Sequence, residues 1–231
     1  MFSIPFVSFL VFLSLSSNGC RENPPVTPPE SSTPNALNWT AGEEMWFDTW
    51  SLDSLGYTIP ATKCISTRRV IRTGQEIQGR LNVVVMVDSI AIPGRTFRSD
   101  TLMYSQTSDG DLWAYGLLSA IGTRYNGYSF GPEWNLIAPL SAGTSASWTA
   151  GYADTSGALL GDMTTEGKYF SVSIGGMNYV YQALRIDLYS PASGLTFWLS
   201  TSPPVFPEII EPSSSTFNGV YRVLTSARLG P

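Results

Sequence analysis

The chain has 231 residues, of which 43% are hydrophobic, 13% aromatic and only 13% charged, about half the charged fraction usual in soluble domains, roughly 25%. It contains no histidine, which excludes Ser-His-Asp and Cys-His catalysis, a HExxH zinc site and a two-His-one-carboxylate iron site. A net charge of -5, with no basic cluster larger than Arg68, Arg69 and Arg72, leaves little electrostatic reason to hold nucleic acid.

Residues 4–15 form an apolar run too short for the roughly 20 residues of a membrane-spanning helix and of the right length for the apolar region of a secretory signal. The run ends in Leu15-Ser16-Ser17-Asn18-Gly19-Cys20. This stretch resembles the lipobox of bacterial lipoproteins, and the resemblance implies a signal peptide over residues 1–19 and lipid attachment (a palmitate-type anchor) at Cys20. An ordinary cleaved signal is the alternative. Residues 20–38 follow as a tether, because Pro24, Pro25, Pro28, Pro29 and Pro34 and a shortage of apolar side chains prevent it from burying a core. At ~3.1 Å per residue in an extended polyproline conformation, it spans on the order of 50 Å. The expected location is therefore the cell envelope, with the membrane as a partner through the anchor; the resemblance to lipoproteins implies the outer membrane, since Arg21 stands where, in those of the enterobacterial type, an Asp signals inner-membrane retention. With Cys20 lipidated, Cys64 has no intramolecular partner and reads as a small core residue.

From residue 39 onward the pattern alternates with a period of two, and 21 glycines and 16 prolines punctuate many short strands. Strands are predicted over 43–50, 63–73, 80–92, 97–107, 111–118, 133–138, 146–153, 158–164, 167–174, 177–189, 195–200 and 217–226. Asp109-Gly110 reads as a two-residue turn. That register sets Tyr104 opposite Tyr115 and gathers Leu102, Tyr104, Gln106, Trp113, Tyr115 and Leu117 on one face. Gly175-Gly176 reads as a second turn, grouping Phe170, Val172 and Ile174 with Met177, Tyr179 and Tyr181; beyond it Leu184, Ile186 and Leu188 take the opposite face. The run 81–87 is apolar on both faces and calls for cover on both sides. Residues 39–231 are thus predicted to be one all-β domain, a strongly curved antiparallel sheet forming an open or half barrel, with a two-sheet β-sandwich as the alternative.

Three short motifs carry a resemblance: Ser108-Asp109-Gly110-Asp111-Leu112-Trp113-Ala114-Tyr115-Gly116; Ile137-Ala138-Pro139-Leu140-Ser141-Ala142-Gly143-Thr144-Ser145; and Leu188-Tyr189-Ser190-Pro191-Ala192-Ser193-Gly194-Leu195. Over residues 98–200 the chain resembles a loose group of bacterial envelope lipoproteins, similar in layout to half-barrel lipoprotein carriers. The resemblance implies a fold and an envelope role, and no catalytic residue.

Aromatic side chains are the main candidates for function. Tyr104, Trp113, Tyr115 and Trp148, with Trp134 and Trp198, suit an apolar ligand cavity, a platform for sugar rings, or the plain filling of a β core. Glu43 and Glu44 are adjacent, so on a strand they point apart and cannot act as an acid-base couple. Asp109 and Asp111 flank a turn and lack the further oxygens of a calcium loop. Arg68 and Arg72 share a strand face and suit either a solvated sheet edge or a phosphate or carboxylate. Lys63 and Lys168 stand outside any Ser-x-x-Lys spacing. Residues 202–212 read as a proline-stiffened loop that packs Phe206 and Ile209 against the barrel mouth, with a partner-docking or lid element as the alternative. The sequence therefore points to a binding protein without metal or cofactor, not an enzyme: a carrier of an apolar ligand or lipid on a concave face, or an assembly or adhesion subunit that holds protein or glycan partners on its surface.

Overall fold

A computed structural model describes residues 37–91, 98–115, 134–153, 157–190, 193–212 and 219–230. The expected signal peptide, Cys20 and the tether through residue 36 lie outside the described residues. Leu37, expected in the tether, is instead buried in the core, and its backbone N–H donates to Gln106 Oε1 at 2.8 Å.

The described residues form thirteen strands: β1 (Glu44–Ser51), β2 (Cys64–Ile77), β3 (Arg80–Ile90), β4 (Arg98–Gln106), β5 (Leu112–Tyr115), β6 (Trp134–Ala138), β7 (Ala146–Ala153), β8 (Gly157–Ile174), β9 (Met177–Ser190), β10 (Ser193–Thr201), β11 (Pro204–Val205), β12 (Glu208–Glu211) and β13 (Val220–Arg228). Two single 3-10 turns, Pro60–Thr62 and Leu140–Ala142, are the helical pieces among the described residues, and no helix there is long and apolar enough to cross a membrane. The all-β class holds.

The strands run in one sheet, β6-β5-β4-β3-β2-β1-β13-β12-β10-β9-β8-β7, with β11 on β10. β13 divides its second edge: residues 220–223 pair with β12, while Ser226 and Ala227 pair in parallel with Ser173 and Ile174 of β8. That contact closes β8, β9, β10, β12 and β13 into a five-stranded barrel with the remaining strands as an extension. The two end strands of the sheet, β6 and β7, meet through side chains. Trp148 of β7 donates its indole N–H to the Leu136 carbonyl on β6 at 2.8 Å. A Cβ on Gly161 would lie 2.3 Å from that indole, and one on Gly151 would lie 2.0 Å from Asn135 Oδ1, so the seam depends on two glycines.

Local chemistry explains the hairpins. At the β8–β9 turn, Gly175 and Gly176 take φ of 58° and 86°, the pair of positive values a type I′ turn requires. The expected register follows: Ile174 faces Met177, Val172 faces Tyr179 and Phe170 faces Tyr181, and all but the exposed Met177 are buried. The two predicted strands 158–164 and 167–174 are one strand, β8, whose ladder with β9 is irregular between Thr165 and Tyr169. In β3 the run 81–87 is not covered evenly on both faces. Leu81 is exposed, and the buried positions change from Val83 and Val85 to Met86, Asp88 and Ile90.

Residues 202–212 are not simply a loop. Pro204–Val205 and Glu208–Glu211 add two short strands to the sheet, while Phe206 and Ile209 are buried as expected. Phe206 lies within 6 Å, centroid to centroid, of Trp39, Tyr104 and Phe197, and Trp39 Nε1 donates to the Pro204 carbonyl at 2.6 Å. The segment thus packs Val205, Phe206 and Ile209 into the core.

Candidate functional site

The β4–β5 register decides where the candidate aromatics point. Thr107 N–H donates to the Asp111 carbonyl and Gly110 N–H to the Thr107 carbonyl, each at 3.0 Å, with Gly110 at φ 102°. Three residues, Ser108 to Gly110, therefore make the turn, one more than the sequence suggests, and the Gln106 amide braces it through Nε2 to the Gly110 carbonyl at 2.6 Å. Tyr104 consequently faces Ala114, and Ser105 faces Trp113. A slip of one residue exchanges the faces of a strand. The single aromatic face expected from the sequence is thus split, with Tyr104 on one side and Trp113 and Tyr115 on the other.

Tyr104 belongs to the core, with Leu102, Leu112 and Ala114 beside it. Burial pushes its phenol pKa up. Trp113 and Tyr115 are half-buried on the other face, where Tyr115 pairs with Trp134 in register, ring centroids 5.2 Å apart. The Arg80 guanidinium lies 3.9 Å from the Trp113 ring centroid and 5.4 Å from that of Trp134, and burial lowers its pKa. The indole N–H groups of Trp113 and Trp134 are shielded and find no acceptor among the described residues. Trp148 joins neither group because it closes the β6–β7 seam. Trp198 is buried against Phe170, 6.2 Å away, with Lys168 Nζ 4.5 Å from its ring.

The structure brings together a polar group that the sequence left scattered. Arg68, Asp88, Glu211 and Arg222 are all buried. Asp88 Oδ2 accepts from Arg68 Nη2 at 3.0 Å and from Arg222 Nη1 at 2.6 Å, and Arg222 Nη2 donates to Glu211 Oε1 at 2.6 Å. Arg68 also sits 4.7 Å from the Phe206 ring. Burial by itself would raise the Asp88 pKa, but the two guanidinium groups outweigh it and hold the carboxyl well below its usual range. Arg68 is therefore no solvated edge residue, since β2 is an interior strand between β1 and β3. A register shift between Val70 and Arg72 separates it from Arg72, which is exposed, as is Arg69.

The other ionisable candidates have structural partners. Glu43 is buried, accepting from Thr40 Oγ1 at 2.8 Å and from Gly230 N–H at 2.9 Å, while the half-buried Glu44 meets Arg228 at 3.2 Å. Asp111 Oδ1 accepts from Ser141 N–H at 2.9 Å, and Asp109 accepts from Thr107. Lys63 pairs with Asp48 at 2.7 Å, and Lys168 pairs with Glu208. Among the described residues no three His, Cys, Asp or Glu side chains cluster as metal ligands. Cys64 is a half-buried free thiol whose pKa burial raises.

No protein-family model matches this chain, and no curated protein or solved structure matches it. Two features bear on function: a core in which Trp39, Tyr104 and Phe206 pack together, and an outer row of Arg80, Trp113, Trp134 and Tyr115. A pocket of about 330 Å³ lies elsewhere, along β8, β9 and β10, and none of the four aromatic candidates lines it.

Proposed function

We propose that the protein is a non-catalytic, lipid-anchored subunit of the bacterial cell envelope, tethered through Cys20, that holds a protein or glycan partner on its outer surface. The observation that carries this reading is the split of the aromatic side chains. Tyr104, Trp39 and Phe206 pack together in the core, which speaks against an open apolar groove at these rings. Trp113, Trp134 and Tyr115 remain half-buried on the other face beside Arg80, and rings with one accessible side are the residues that anchor partners at interfaces.

The test is binding of the full-length protein, held in nanodiscs through its anchor, to isolated envelope glycans and surface proteins. Wild type is compared with Trp134→Ala and Arg80→Ala. Retention of a partner that falls at least tenfold in both variants supports the reading. Equal retention by all three, or release of a tightly held lipid from the wild-type interior, contradicts it.

A further inference from the structure

We propose that the pocket between β8, β9 and β10 is a binding site for a neutral saccharide unit. The site arises where two ladders stop. β9 and β10 pair as far as Leu184 and Leu199, after which Ser200 and Thr201 turn to β11 and leave Gln182 and Ala183 across an open fork. On the other edge of β9, pairing with β8 is interrupted between Thr165 and Tyr169. Gly143 and Thr144, at the end of the 3-10 turn Leu140–Ala142, supply a further wall. The resulting volume of about 330 Å³ falls at the small end of the ~300–1,000 Å³ usual for small-molecule sites.

The lining chemistry selects the ligand class. Leu199 and Ala183 are buried and Leu184 is partly so, giving an apolar surface for a C–H face. Ser200 is buried beside them, whereas Thr165, Gln182 and Thr144 are exposed and Thr201 is half-exposed. Hydroxyl and carboxamide groups each both donate and accept, as ring hydroxyls require. Among the described residues no ionisable side chain lines the pocket, so they offer a phosphate, a uronate or an ammonium group no countercharge. A purely aliphatic chain would strip water from the hydroxyls and return no hydrogen bond. An uncharged sugar, with apolar faces and a hydroxylated rim, meets both halves of this lining. The site shares no residue with the Trp113 row and does not rest on it.

The experiment is saturation-transfer NMR on the full-length protein, with glucose, galactose, mannose and N-acetylglucosamine at a few millimolar and glucuronate as the charged control. At least one neutral sugar gives a signal, glucuronate gives none, and Thr165→Trp, which plugs the exposed rim, removes at least tenfold of that response. Gln182→Ala, an exposed position, weakens it in the same direction and serves if the larger residue disturbs folding. Trp113→Ala leaves the signal unchanged. Silence with every neutral sugar, an equal response to glucuronate, or a signal that survives both rim variants overturns the assignment. So does a signal lost in Trp113→Ala, which would place the sugar on the outer row.

Discussion

Arg68 and Arg80 each lay a guanidinium on an aromatic ring, at 4.7 Å from Phe206 and 3.9 Å from Trp113, yet their surroundings differ in kind. Arg68 is buried, and its charge is tolerated because Asp88, Arg222 and Glu211 form a chain of ion pairs around it. Arg80 is half-exposed, keeps part of its hydration, and rests on two indole rings. A buried cation needs a carboxylate, whereas a cation on a wet surface can make do with an aromatic face. The inner cluster therefore belongs to the fold, and the outer one is where the proposed partner would dock.

Removing a carboxylate from the inner group should produce the largest effect. Asp88→Asn leaves two guanidinium groups without their shared charge, and truncating one member of a buried ion pair costs about 3–5 kcal/mol. A denaturant melt should show that loss, while Arg80→Ala should change stability little. Acid sharpens the same contrast. Because the Asp88 pKa is depressed in the folded protein, its contribution is present above its unfolded pKa of about 3.9 and is lost as pH falls through the folded value. Stability should therefore drop on acidification below about pH 4 in wild type, and this component should be missing in Asp88→Asn.

The β6–β7 seam comes next. Gly161→Ala drives a Cβ to within 2.3 Å of the Trp148 indole and should cost about 1–3 kcal/mol, as overpacking does; calorimetry reads it as a lowered Tm. Asp111→Ala removes the acceptor for the Ser141 N–H and should cost about 1 kcal/mol. The smallest change in stability is expected from Tyr115→Ala, on the outer row. Its effect should appear in partner retention instead, and a large stability loss there would mean that the row is core.

The hairpin at Gly175-Gly176 was legible because two adjacent glycines fix both turn type and register. The hairpin at Asp109-Gly110 was misread by one residue, because hydrogen bonds from the Thr107 backbone and the Gln106 side chain favour a three-residue loop that the Asp-Gly pair does not announce. That slip decides the candidate site, since it moves Tyr104 inside and leaves Trp113 and Tyr115 on the other face. β12 was hidden because four residues between Pro207 and Pro212 carry little alternation. The burial of Arg68 depends on Asp88 and on Arg222, which are joined to it by sheet pairing and not by sequence spacing. Barrel closure rests on a short parallel contact between Ser226–Ala227 and Ser173–Ile174, for which no local pattern exists.

If Tyr104, Trp39 and Phe206 fill the apolar interior and a partner is held on the outer row, the protein carries no lipid cargo. Native mass spectrometry of the full-length protein, purified from a bacterial envelope and recorded before and after denaturation, decides between these readings. The expected spectra show no noncovalent lipid or fatty acid that denaturation releases, and no uptake when these are added. A lipid that stays bound until the protein unfolds overturns the surface-binding reading and restores the carrier.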